Sequence, residues 1–254
     1  DSGDLLIPGK VEEFLPMLYR EGFPRNFNDE VAWLYLMTDD VEMGQLELDP
    51  EDEANDTRDK NSSDAFNVGE GEEPYKWERE IKSYADNFWE RRYGNILACN
   101  LVIDALPEME YVEADSGNYN FLAAQAYALR AYNYWCLVNS YALPWSKENL
   151  DKPGVIIRME PQINISPRGR SSIREVYDLI NEDIEKAEKY INIATFDGNI
   201  HRLSEPAILL LASRIALFQE NWDEVIRTGK LFLAQNSVIL NLNDQDTTLF
   251  GTEK

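Results

Sequence analysis

The sequence predicts a mostly α protein: an irregular helical array with tetratricopeptide-like helix hairpins, long loops and little β structure. Three observations predict it. Apolar residues recur about every 3.6 positions over most of the chain, runs that alternate apolar with polar are few and short, and helix-start signatures precede the periodic stretches at Ser172, Ser204 and Asn221. The 254 residues suffice for one large domain or two small ones. We read residues 1–254 as one helical region.

In chain order, the first long pattern spans about 78–106, with Ile81, Tyr84, Phe88, Ile96, Cys99, Val102, Ile103 and Leu106 on one stripe. It stops at Pro107, which cannot continue a helix without losing a backbone hydrogen bond. A second pattern, 118–141, alternates Ala123, Ala124, Ala126, Ala128 and Ala131 with Tyr127, Tyr134, Trp135 and Val138. Small side chains at that density let another helix approach closely. The third, 172–191, opens on a capping box, Ser172 with Glu175, and carries Ile173, Val176, Tyr177, Ile180, Ile184, Ala187 and Ile191. Residues 205–236 read as a tetratricopeptide-like hairpin. Ser204 caps its first helix, Pro206 sits in the first turn, and Asn221 with Glu224 opens the second, whose face is Trp222, Val225, Ile226, Phe232 and Leu233. Gly229 stands where a larger residue belongs, so the repeat is irregular.

Two stretches break the periodicity. Residues 47–76 form an acidic loop: eleven carboxylates from Glu47 to Glu73 face only Arg58 and Lys60 before Lys76. Residues 142–170 hold Pro144, Pro153, Gly154, Pro161, Pro167 and Gly169 around Val155, Ile156 and Ile157, a short extended run.

Charge and composition exclude several functions. Lys and Arg number 24 against 47 Asp and Glu, a net charge of −23 that repels a phosphate polyanion, so no nucleic-acid partner is expected. The same charge favours neutral over anionic ligands. Apolar residues make up 44 %, enough for a core, but no run reaches the roughly 18 needed to span a membrane. Cys99 and Cys136 fall within helical patterns and read as buried free thiols. The chain opens on Asp1 with no basic-then-apolar leader, so any targeting segment is expected to have been removed or to lie outside this sequence.

Catalytic signatures are sparse. His201 is the sole histidine and lies in a polar stretch just before a helix, which points to an exposed loop rather than a nucleophile's base. Phosphate-loop, dinucleotide and zinc-protease patterns do not occur. Carboxylate pairs are guaranteed by abundance alone, so glycosidase chemistry has no specific support. Residues 59–70 place Asp59, Asn61, Ser63 and Glu70 at calcium-loop spacing, but Asp64 occupies the position that needs glycine, and a solvated acidic loop is the expectation. We therefore expect no enzyme activity, cofactor or metal.

Aromatic residues are in excess, with 6 Trp and 13 Tyr. Trp33, Trp89, Trp135 and Trp222 fall at helical spacing and are core candidates, whereas Phe66, Tyr75, Trp77, Tyr111, Tyr119 and Trp145 lie in or beside loops. A ring exposed there either stacks on the C–H face of a sugar or tucks under its own loop. Covering about 100 Å² of apolar surface is worth on the order of 2.5 kcal/mol. Two such faces bring millimolar affinity, about −4 kcal/mol, within reach.

The order of landmarks resembles the SusD/RagB family of outer-membrane glycan-binding lipoproteins of Bacteroidetes. The likeness runs through Tyr93-Gly94-Asn95-Ile96 with Asn100, then Ala126-Tyr127-Ala128-Leu129-Arg130-Ala131-Tyr132-Asn133-Tyr134-Trp135 followed by Val138 to Pro144. It continues in Arg170-Ser171-Ser172 to Ala187, in Arg202-Leu203-Ser204 to Trp222, and earlier in Pro8-Gly9-Lys10-Val11-Glu12-Glu13-Phe14. Members of that family are longer, so the likeness is to their N-terminal half. It implies a helical fold and non-catalytic glycan binding at the cell surface. It also implies a lipid anchor whose cysteine lies outside this chain, and a SusC-type TonB-dependent transporter as partner. Beside the likeness, Tyr75, Trp77, Trp145 and Phe66 are the candidate ligand-binding residues. The alternative is a tetratricopeptide-like scaffold that binds protein and takes no small ligand.

Overall fold

The computed structural model describes residues 14–19, 76, 88–108, 116–162, 166–196 and 198–235. Among them six α-helices form: α1 (Leu15–Tyr19), α2 (Phe88–Ala105), α3 (Ser116–Tyr141), α4 (Ile173–Ile191), α5 (Glu205–Phe218) and α6 (Trp222–Gln235). No strand appears among these residues, and the one isolated bridge joins Pro153 to Ser172. The acidic loop other than Lys76, the 59–70 stretch, and Trp33, Phe66, Tyr75, Trp77 and Tyr111 lie outside the described residues.

The centre is α3. Its alanines 123, 124, 126, 128 and 131 are fully buried, which lets α2 and α4 close on it from two sides. Leu106, Pro107 and Glu108 tighten into a 3-10 turn beyond α2, where the proline halts the α-helical ladder. The capping box of α4 is complete: the Ser172 hydroxyl accepts from the Glu175 backbone N–H, and the Glu175 carboxylate accepts from the Ser172 backbone N–H at 2.7 Å. At the start of α3, Gly117 accepts a hydrogen bond from the Thr195 backbone N–H at 3.1 Å. A Cβ on Gly117 would stand 2.1 Å from the Thr195 hydroxyl, so only glycine lets this turn close.

Two cores sit along α3. One gathers Leu15, Leu18, Val102, Phe121, Leu122, Ala187 and Ile208; the other gathers Ile96, Tyr134, Leu137, Ile173, Tyr177, Ile180 and Ile215. At the seam, between Leu129 of the first and Ala131 of the second, Arg130 reaches Asp183 of α4 in a bidentate pair of 2.8 and 2.7 Å. It donates a third bond, 2.9 Å, to the Asn100 side chain of α2. Both partners of the pair are buried. Burial pushes the Asp183 carboxyl upward against the pull of the guanidinium, while the bonds to Asp183 outweigh burial at Arg130 and hold it protonated.

Three expectations need correction. Trp222 is not a core residue: it is 59 % exposed and forms a stripe with Ile226 and Leu233, because α6 turns Thr228, on its opposite side, into the protein. Of the face assigned to α6, only Val225 and Phe232 are half-buried. Ser204 does stand at the N-cap of α5, but its hydroxyl makes no capping bond, leaving Pro206 as the start signal that operates. Cys99 is buried, whereas Cys136 is half-buried.

Candidate functional site

Residues three and four apart on a helix share a face, and residues two apart on an extended segment share a side. Both rules meet at one place. Trp89, Tyr93, Ile96, Leu97 and Asn100 of α2 face Ile156, Arg158, Glu160 and Gln162 across a groove of about 520 Å³, with Glu90 at its edge. That volume suits a small-molecule ligand. Ile96 and Asn100 are buried in the floor, while Glu90 and Gln162 are exposed at the rim.

Hydrogen bonds fix the extended wall. The Tyr134 hydroxyl donates to the Arg158 carbonyl at 2.7 Å and accepts from the Arg158 backbone N–H at 2.8 Å. Tyr93 donates to the Ile156 carbonyl at 2.7 Å. The Asn100 amide donates to the carbonyls of Arg158 and Glu160, at 2.9 and 3.2 Å, and its oxygen accepts from Arg130. Glu160 pairs with Arg168, and the Arg158 guanidinium donates to the Ser166 carbonyl at 3.2 Å. Trp89 is braced by Tyr93 and Tyr141, each 4.9 Å away between ring centroids, the latter edge-on.

Burial raises acid groups packed in or against the two cores. The Cys99 thiol moves from its ordinary 9.0 to about 12, chiefly through desolvation. The Tyr93 hydroxyl moves from 10.0 to about 12 by desolvation, opposed by its bond to Ile156. Tyr177 also rises to about 12 by desolvation, opposed by Asn139. In each case the unfolded chain ionises first, so the native state holds more protons at alkaline pH. The stability these groups contribute is complete below about pH 9 and is lost as pH rises towards about 12. Urea titrations should show a lower unfolding midpoint at about pH 11 than at about pH 8.

Of the candidate residues, Trp145 alone falls within the described set. It is half-buried, edge-on to Tyr177 at 4.7 Å, and does not line the groove. Tyr119 is half-buried and donates to the Leu106 carbonyl. Trp89 and Tyr93 are the site residues the sequence reading missed. Helical spacing alone assigned Trp89 to the core; the pairing of an 89-93-97-100 face with the alternating 156-158-160-162 side chains would have pointed to the groove. His201 is exposed, as its polar surroundings suggested.

A second cleft, about 400 Å³, lies where α4, α5 and α6 meet. Arg227 crosses it, pairing with Glu188 at 2.8 Å and Glu224 at 2.5 Å. The described residues hold no group of three or more His, Cys, Asp or Glu placed to bind a metal ion, and no described helix is long and apolar enough to cross a membrane.

Aromatic rings braced along α2 thus flank a groove of small-ligand size. The chain belongs to the SusD-like_3 family, described as "Starch-binding associating with outer membrane", which it matches over residues 23–217. A curated relative, SusD-like protein P38 of Formosa agariphila, is 27 % identical over 158 residues, 61 % of this chain and 27 % of the relative. A SusD-like carbohydrate-binding protein of Bacteroides vulgatus shares the fold with TM-score 0.66 at 18 % identity, over 93 % of this chain and 47 % of that one. A laminarin-binding SusD-like protein does so with TM-score 0.64 at 18 % identity, over 89 % and 43 %. The chain thus spans between about a quarter and a half of these relatives' lengths.

Proposed function

We propose that this chain binds a neutral glycan at the outer-membrane surface without cleaving it. In this reading it belongs to a lipid-anchored cell-surface protein that passes the ligand to a SusC-type TonB-dependent transporter. Membership of a starch-binding family supports the ligand class, and the observation that carries it to this chain is the groove walled by Trp89 and Tyr93. A ring face against sugar C–H groups supplies affinity while rim side chains supply hydrogen bonds. Tyr75, Trp77, Trp145 and Phe66 are proposed to extend the stacking surface.

Calorimetry of the full-length protein against a panel of neutral oligosaccharides tests this. Trp89→Ala should weaken binding by about tenfold or more, since one ring face removes on the order of 2 kcal/mol of buried apolar contact. Unchanged affinity in Trp89→Ala would remove the groove from the site; unchanged affinity in Trp77→Ala and Trp145→Ala would remove those rings.

One observation favours a second reading, the protein-binding scaffold. Leu210, Leu217, Trp222, Ile226 and Leu233 of α5 and α6 are all exposed, and a contiguous apolar surface of that kind marks a protein interaction site. Capture of a soluble protein partner, with no saccharide bound by the full-length chain, would decide for it.

A further inference from the structure

We infer that the groove between α2 and the 156–162 segment accepts an uncharged acetyl substituent of the glycan, carried on nitrogen or oxygen; this rests on the glycan-binding reading above. The Tyr93 hydroxyl and the buried Asn100 side chain of the groove are already engaged by the protein. Tyr93 gives its hydroxyl proton to the Ile156 carbonyl, and the Asn100 side chain donates to two carbonyls while accepting from Arg130. What remains there for a ligand is mostly carbon, half-buried Leu97 and Ile156 and the ring of Trp89 over buried Ile96, with only the Trp89 indole N–H and the second Glu160 carboxylate oxygen, which has no hydrogen-bond partner, as further polar atoms.

An unsubstituted sugar ring carries hydroxyls around its edge. Pressed against these apolar side chains, most of them would give up water without gaining partners, which is costly. An acetyl group instead ends in a methyl that fits among aliphatic side chains, and it directs its carbonyl, and its N–H where present, back towards the polar rim. The rim also selects against charge. Glu90 and Glu160 line the groove with Arg158, Arg168 already holds Glu160, and the whole chain carries −23. Nothing in this balance attracts a sulfate or uronate, so the substituent is neutral.

The test uses the full-length protein and matched ligands. Chitotriose and cellotriose share linkage and stereochemistry and differ by acetamido against hydroxyl. An O-acetylated oligosaccharide, measured before and after mild alkali, covers the ester source, and a glycan array extends both comparisons. The acetylated member of at least one pair should bind about tenfold or more tightly, the discrimination that one buried methyl-sized group can give. Leu97→Asn should bring that ratio close to one while the melting temperature shows the protein folded. Equal or stronger binding of bare sugars overturns the inference and leaves glycan binding standing. A preference for acetyl that survives Leu97→Asn also overturns it, because the selecting contact then lies outside this groove. If no saccharide binds at all, the underlying glycan reading fails and takes this inference with it.

Discussion

Exchanging Asp183 for asparagine should destabilise the protein by about 3–5 kcal/mol, the cost of leaving a buried guanidinium without its counter-charge. Asp183 is fully buried and Arg130 nearly so, and the bidentate geometry commits three of the guanidinium's N–H groups once Asn100 is included. Asparagine keeps the shape and loses the charge, so the deficit is electrostatic rather than a cavity. Urea unfolding monitored by circular dichroism measures it. The double replacement Arg130→Met with Asp183→Leu should recover most of the loss, since two apolar groups of similar size remove the desolvation penalty altogether. A single change costing under about 1 kcal/mol would show that water reaches the seam.

Tyr134→Phe should cost about 3 kcal/mol and weaken ligand binding at the same time. The hydroxyl serves both the N–H and the carbonyl of Arg158, so its removal takes one bond from each, the carbonyl keeping the one from Asn100. The ring itself stays in place, fully buried, and the helix around it should not change. Of the bonds from helix side chains described above, those of Asn100 and Tyr93 then hold the wall of the groove that carries Arg158 and Glu160. Paired measurement of unfolding free energy and oligosaccharide affinity separates the two effects. Lost stability with intact affinity would mean that the extended wall does not contribute to the ligand site.

Much of the fold was legible because it follows from local rules. The Ser172–Glu175 box, the stop at Pro107 and the alanine-rich face of α3 each state a backbone or packing requirement within a few residues. The errors came where spacing was asked to report surroundings. Trp89, Trp135 and Trp222 all occur at helical intervals, yet one walls a groove, one is buried and one is exposed. Periodicity identifies the face a ring occupies, and only the neighbouring element decides what covers that face. Arg130 shows the same limit. In sequence it is one charge within an apolar helix, and its partner Asp183 stands 53 residues further along. The groove stayed hidden because half of it is an irregular segment whose shape is set by side chains from α2 and α3.

The 26 residues of α3 make a rod about 39 Å long. Its first turn is clamped where Thr195 meets Gly117, and its later turns carry Tyr134, which pins the wall opposite Trp89. One helix thus ties the connection between α4 and α5, at its first turn, to the wall of the groove that Tyr134 holds further along.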